Sequence, residues 1–128
     1  MRNLIHTENA PQPLLNLYSQ GILAQGKLIF TAGQVGMAPD TGTLVDGGVQ
    51  EQTQQALRNV KAIVEAAGSD ISQVVKVTVL LDNIDDFGAM NEIYKTYFAD
   101  SPPARTAYEV ARLPIGALVE IEAIAVVE

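Results

Sequence analysis

Arg105 is the residue of this chain whose type and setting first suggest binding chemistry. It follows the rigid stretch Pro102-Pro103-Ala104 and precedes an apolar-rich segment. An arginine held firmly on a strand can bind a small carboxylate through two parallel hydrogen bonds. The alternative is a surface ion pair with one of the many carboxylates of the chain, and spacing alone leaves the two interpretations about equal.

Glu120 and Glu122 are the second set of residues that could take part in chemistry. They alternate with apolar residues in one β-rich run, so they share a face that continues as Ile124 and Val126. A carboxylate on a face that becomes apolar is a candidate general acid or base. A solvated strand end, at which both glutamates merely face water, is the alternative that stays open.

The other residue types that commonly carry catalysis indicate no site. His6 is the single histidine and has no partner at metal-ligand spacing, so an exposed histidine without a role is the preferred interpretation. The chain has no cysteine, which excludes a thiolate nucleophile and a cysteine metal site. No HExxH, GxxxxGKS or GxGxxG motif is present, and no serine lies in a nucleophile elbow. These patterns argue against the usual zinc, nucleotide and serine-hydrolase sites.

Strands are predicted where β-branched and apolar residues run between turn signals. The first two runs are separated by a short loop containing Gly26, which predicts a β-hairpin. The predicted strands cover residues 17–22, 27–32, 74–81, 104–110 and 118–127. Arg105 therefore lies at the start of the fourth strand and Glu120 lies in the fifth.

Two amphipathic helices are predicted from apolar residues at spacings of three and four. The first runs to Ala67 and ends before Gly68, where a left-handed residue is often needed. The second is capped by Asn83 or Asp85 and ends before Pro102. Its inward stripe comprises Phe87, Met90, Tyr94 and either Tyr97 or Phe98. The order ββαβαββ predicts an α+β fold with both helices on one face of the sheet.

The overall composition narrows the class of protein. A length of 128 residues without a linker predicts one domain over residues 1–128. The net charge of −7, with no run of lysine and arginine, argues against nucleic acid as a partner. No apolar stretch is long enough for a membrane span, and the absence of cysteine suits the cytoplasm. The second sheet face has no predicted element to cover it, so a second subunit is the simplest cover.

Several segments of the chain resemble signatures of the Rid (YjgF) family. The most specific is the C-terminal pair PARTAYEVARLP at 103–114 and VEIEAIA at 119–125. The earlier matching segments are TENAP at 7–11, YSQG at 18–21, FTAGQ at 30–34 and NVKAIVEAAG at 59–68. The resemblance therefore runs over essentially the whole chain.

The resemblance implies a chorismate-mutase-like α+β subunit, assembled as a homotrimer with active sites in the clefts between subunits. It implies a deaminase that hydrolyses 2-imino acids such as 2-iminobutanoate and 2-iminopropanoate to 2-keto acids and ammonia. No metal or organic cofactor is implied, because an activated imine is already electrophilic.

The resemblance also assigns residues. Arg105 would bind the substrate carboxylate, and Glu120 would position and activate the attacking water. The implied substrate-binding set is completed by Tyr18 and Asn91 in the pocket walls and by the backbone of Gly33 and Ala107.

Several positions depart from the family pattern. Ala107 stands where cysteine is usual, Ala32 where serine is frequent, and Asn16-Leu17 where Gly-Pro is usual. Tyr108 replaces a small aliphatic residue and could narrow the cleft. These departures affect the expected substrate range more than the expected reaction.

Two alternative functions stay open at this point. The family includes proteins described as ribonucleases or translation inhibitors, although the acidic charge and the lack of a basic stripe argue against that activity here. A non-catalytic trimer that binds a small carboxylate as a regulator would need Arg105 but not Glu120.

Overall fold

The computed structural model describes all residues 1–128, and it contains seven strands and two α-helices. The elements are β1 (Arg2–Ile5), β2 (Gly21–Ala24), β3 (Lys27–Phe30), β4 (Gln34–Val35), α1 (Val49–Ala66), β5 (Val74–Leu81), α2 (Phe87–Tyr97), β6 (Ala104–Glu109) and β7 (Val119–Val127). Neither helix combines the length and the apolar character that crossing a bilayer requires.

The main sheet has five strands and is mixed. Its order is β3-β7-β5-β6, and β4 also pairs with β7. β5 and β6 are parallel, whereas β3, β4 and β5 each pair with β7 in the antiparallel sense. The two helices pack on one face of this sheet, so the predicted α+β class is confirmed.

The predicted hairpin between the first two β-rich runs is wrong. β2 pairs with β1 in a separate two-stranded sheet, and β3 pairs with β7. Gly26 does turn the chain, with φ of +132°, but the turn carries it from one sheet to the other. The period-2 pattern identifies a strand without identifying its partner, and the mostly exposed β1 shows no alternation that would have predicted it.

The predicted end of the first helix is confirmed, whereas the second helix ends at Tyr97, before the predicted limit at Pro102. α1 ends at Ala66, and Gly68 has φ of +90°. The side chain of Asn83 accepts a hydrogen bond from the Asp85 N–H and caps the 3-10 turn that leads into α2. α1 begins earlier than its apolar pattern indicates, because its first turns carry the buried polar residue Gln52. Glu51 stabilises this start by accepting a hydrogen bond from the Gly48 N–H at 2.8 Å.

The core lies between the helices and one face of the sheet. Alternate residues of β7, from Val119 to Ala125, point into it together with alternate residues of β5, from Val77 to Leu81. The opposite face, which we call the open face, has no helix over it. Phe30 there is 63% exposed and Tyr108 is 47% exposed. The open face therefore keeps apolar surface of the kind that contacts between subunits bury.

Candidate active site

Arg105 lies on the helix side of the sheet, at its edge. β6 pairs only with β5, and the two strands place Arg105 beside Val77, whose side chain is fully buried in the core. Residues that are directly opposite on neighbouring strands share a sheet face. The Arg105 side chain therefore points towards α2 rather than towards the open face.

Three residues of α2 hold the guanidinium of Arg105. Its Nη1 donates a hydrogen bond of 2.7 Å to Oδ1 of Asn91. Its Cζ lies 4.7 Å from the ring centroid of Tyr94 and 5.5 Å from that of Phe87. Residues 87, 91 and 94 are spaced by four and three, so they share one face of the helix. This helix face therefore binds the guanidinium of Arg105.

The guanidinium is partly desolvated and has donors to spare. Burial lowers the pKa of Arg105 below its ordinary value, and the neighbouring Tyr94 and Tyr18 offset part of that effect. It forms no salt bridge, and its bond to Asn91 is its single hydrogen bond within the chain. A guanidinium carries five N–H donors. The surface ion pair considered above is thus absent, and the remaining donors can receive an anion.

A cleft of about 290 Å³ opens in front of Arg105. It is lined by Leu14, Leu17, Tyr18, Phe87, Arg105 and Ala107. Apart from the guanidinium and the Tyr18 phenol, these walls are apolar, so the cleft suits a small molecule with one anionic end. Tyr108 points to the open face, in register with Leu80, and does not line this cleft. The expectation that Tyr108 narrows or reshapes a cleft between subunits stays a prediction.

The rim of the cleft has an unusual backbone. Leu15 and Asn16 both have left-handed conformations, with φ of 56° and 54°. Asparagine tolerates this region better than most residues, whereas leucine is strained there by about 1–2 kcal/mol. Asn16 thus adopts a conformation that glycine adopts freely. The chain can therefore follow this path to Tyr18 without the Gly-Pro pair that is usual in the family.

Glu120 and Gly33 form a second cluster. Glu120 pairs with Val35 of β4, and its carboxylate lies directly over the Cα of Gly33. A Cβ at position 33 would overlap the carboxylate oxygen and lie 2.8 Å from Glu120 Cδ. The half-buried Glu120 side chain has no hydrogen-bond or salt-bridge partner in the chain. Its acceptor oxygens are therefore free for a ligand or a water.

The two clusters lie on opposite faces of the sheet. Arg105 is in register with Val77, which faces the helices, whereas Glu120 is in register with Leu80, which faces away from them. The structure thus brings Arg105, Asn91, Tyr18 and Ala107 together, and separately brings Glu120 and Gly33 together. One chain does not join the two clusters.

Phe87 and Tyr94 are neighbours of Arg105 that the sequence interpretation did not assign to the site. Both were assigned to the inward stripe of α2, and that assignment is correct. The available signal was the position of Asn91 between them on the same helix face. An amide and two aromatic residues on one helix face can contact a cation together, as well as pack in the core.

Comparisons with known proteins identify the family. The family model described as Endoribonuclease L-PSP matches residues 7–127. A 2-iminobutanoate/2-iminopropanoate deaminase of Rattus norvegicus is 53% identical over 126 residues, covering 98% of this chain and 90% of the relative. A RutC family protein of Pyrococcus horikoshii is 53% identical over 125 residues, covering 98% of both chains.

Solved structures give the same result. The YjgF gene product of E. coli superposes with a TM-score of 0.73 at 44% identity, covering 97% of this chain and 98% of the other. E. coli TdcF, solved with bound serine, superposes with a TM-score of 0.74 at 40% identity, covering 98% and 99%. The family model and these relatives span nearly the whole chain, and the chain belongs to the Rid (YjgF) family, whose model carries the Endoribonuclease L-PSP description.

Proposed function

We propose that this protein hydrolyses small 2-imino acids, such as 2-iminobutanoate and 2-iminopropanoate, to 2-keto acids and ammonia. The observation that carries the proposal is the Arg105 guanidinium, which is partly desolvated, held by Asn91 and left with free donors in a small apolar cleft. Deaminase relatives of about half identity support the same reaction. The location that we expect is the cytoplasm.

The roles follow from the chemistry of an imine. Arg105 binds the carboxylate and fixes the orientation of the C=N bond. A water held by Glu120 adds to the imine carbon, and the carboxylate transfers a proton from that water to the nitrogen. The new hydroxyl then gives up its proton, which is transferred to the nitrogen; the C–N bond breaks, the oxygen becomes the keto oxygen, and ammonia leaves. The balance is one imine and one water to one keto acid and one ammonia.

We infer that two copies of the chain build each site. Since Arg105 and Glu120 face opposite ways from one sheet, Glu120 and Gly33 of a second copy must complete the cleft in front of Arg105. The apolar open face supports such an assembly, and we propose a homotrimer. On a sizing column the protein is expected to elute near three times the chain mass of 13.7 kDa. Elution as a monomer would leave the site without its base.

A coupled assay tests the proposed reaction directly. Threonine dehydratase supplied with threonine generates 2-iminobutanoate in place, and added protein is expected to accelerate ammonia release. Heat-denatured protein is the control. If native and denatured protein give the same rate, the deaminase proposal fails.

The ribonuclease alternative is tested in parallel. Binding of RNA by a protein with a net charge of −7 would need a local cationic patch, and its affinity would fall steeply with added salt. We expect no RNA cleavage by the purified trimer. Cleavage that is retained in a variant without Arg105 would favour the alternative.

Gly33→Ala is expected to reduce kcat by about 100-fold, which is the lower end of the contribution of a general acid or base. The new methyl group would overlap the Glu120 carboxylate and force it to rotate away. Stability should change little, since no left-handed φ is needed at this glycine. The initial rate of ammonia release measures the effect.

Gly88→Ala is the matched control for this substitution. A Cβ at position 88 has no atom within 4 Å, so the rate should stay at the wild-type value. A Gly33→Ala enzyme that is as fast as Gly88→Ala would show that the Glu120 carboxylate need not lie where the structure has it.

A further inference from the structure

Tyr94 contacts the candidate anchor without having access to the cleft. Its side chain is fully buried, at 0% exposure, and it is not among the residues that line the cleft. One face of its ring lies under the Arg105 guanidinium, with 4.7 Å between Cζ and the ring centroid. Phe98 packs against Tyr94 as well, with 4.8 Å between ring centroids and an angle of 38° between ring planes. Any effect of Tyr94 on a ligand must therefore act through Arg105.

The hydroxyl group of Tyr94 does not explain why an aromatic residue lies there. Its oxygen is buried and has no hydrogen-bond partner. Burial raises the pKa of Tyr94 well above its usual value, so the phenol is neutral and forms no ion pair with Arg105. What remains is the π-face of the ring, which attracts a cation more strongly when both groups are shielded from water.

The Arg105 side chain needs such a support. A free arginine side chain loses about 2 kcal/mol of rotamer entropy when it is fixed. The hydrogen bond to Asn91 fixes one nitrogen but still allows the plane of the guanidinium to tilt about it. The Tyr94 ring, 4.7 Å from Cζ, restricts that freedom.

We propose that Tyr94 is a positioning residue for carboxylate binding, in which its ring acts as a platform that orients the guanidinium of Arg105 towards the cleft. The inference rests on the proposed function in that the ligand is the carboxylate of a small imino acid. The ring is required, whereas its hydroxyl is not.

Two substitutions separate this role from simple filling of the core. Tyr94→Phe keeps the ring and removes the unpaired hydroxyl, so KM for the imino acid should stay within about twofold of wild type. Tyr94→Leu keeps an apolar side chain without a π-face, so KM should rise about tenfold while kcat changes little. Affinity for butyrate, an unreactive carboxylate, should weaken by the same factor in calorimetry. Thermal unfolding of both variants reports any change of stability.

Spectroscopy gives a test that needs neither turnover nor a substitution at Tyr94. In protein with ¹⁵N-labelled arginine, the Nε–H signal of Arg105 should be shifted by the ring currents of Tyr94 and Phe87, and adding butyrate should move it further. Arg58 and Arg112 are exposed and provide the reference signals. Loss of one signal in Arg105→Lys assigns the resonance.

The outcomes distinguish the positioning role from the reaction. An Arg105 signal at the position of the exposed arginines overturns the platform, and so does a folded Tyr94→Leu variant that binds butyrate as tightly as wild type. A shifted signal together with weaker butyrate binding by Tyr94→Leu supports it, even if wild-type protein releases no ammonia from the imine. That last result would contradict the deaminase proposal alone.

Discussion

Replacing Arg105 with alanine is expected to lower kcat/KM for 2-iminobutanoate by about 1,000-fold. Two parallel charge-assisted hydrogen bonds are worth about 2 kcal/mol each, and together they correspond to roughly three powers of ten. The variant should fold, because the side chain that is removed is a desolvated cation without a salt bridge. Ammonia release in the coupled dehydratase assay measures the loss.

Arg112→Ala and Arg105→Lys are the controls for this result. Arg112 is exposed and forms no hydrogen bond within the chain, so its removal changes the net charge equally and should leave the rate unchanged. Lysine at 105 keeps the charge but loses the planar fork, so it should recover only part of the affinity. An Arg105→Ala enzyme with wild-type kcat/KM would show that Arg105 is not the anchor of the substrate carboxylate.

Glu120→Gln is expected to reduce kcat by about 1,000-fold and to leave KM nearly unchanged. Glutamine keeps the size of the side chain over Gly33 but cannot accept the proton of the attacking water. Glu122→Gln is the matched control, because Glu122 lies on the same face of β7 and is exposed. A Glu120→Gln enzyme that retains full turnover would favour the non-catalytic regulator instead.

Mixing the two inactive variants tests whether each site is shared between copies. If Arg105→Ala and Glu120→Gln chains are unfolded together and refolded as a 1:1 mixture, random assembly gives about one quarter of the sites an intact arginine and an intact glutamate. Activity should return to about that fraction of wild type. Sites built within a single chain would stay inactive in every mixture.

Local features of this fold could be predicted from the sequence because short-range chemistry determines them. The β-branched run of Val74–Leu81 is a strand in the structure over those same residues. Gly68 ends α1 because a left-handed residue is needed there, and Asn83 caps the turn before α2 because its side chain reaches the Asp85 N–H.

Relations between strands could not be predicted in the same way. Alternation shows that Glu120 and Glu122 share a face of their own strand, and the structure confirms it. Alternation within one strand does not show which residues of the neighbouring strand lie on the same side of the sheet, because that depends on the pairing register. Arg105 aligns with Val77 and Glu120 aligns with Leu80. The family resemblance assigns Arg105 and Glu120 to one site, yet within one chain they face opposite sides of the sheet. The partner of β2 was missed for the same reason.

A newly synthesised chain carries both the proposed anchor and the proposed base, yet the thickness of its own sheet keeps them apart. If each site is shared between copies as proposed, such a chain cannot act on the imine until it meets other copies. Dilution would then lower the activity by dissociating the copies, without unfolding the chain. A substitution on either wall would likewise disable a site that the chain shares with a neighbour.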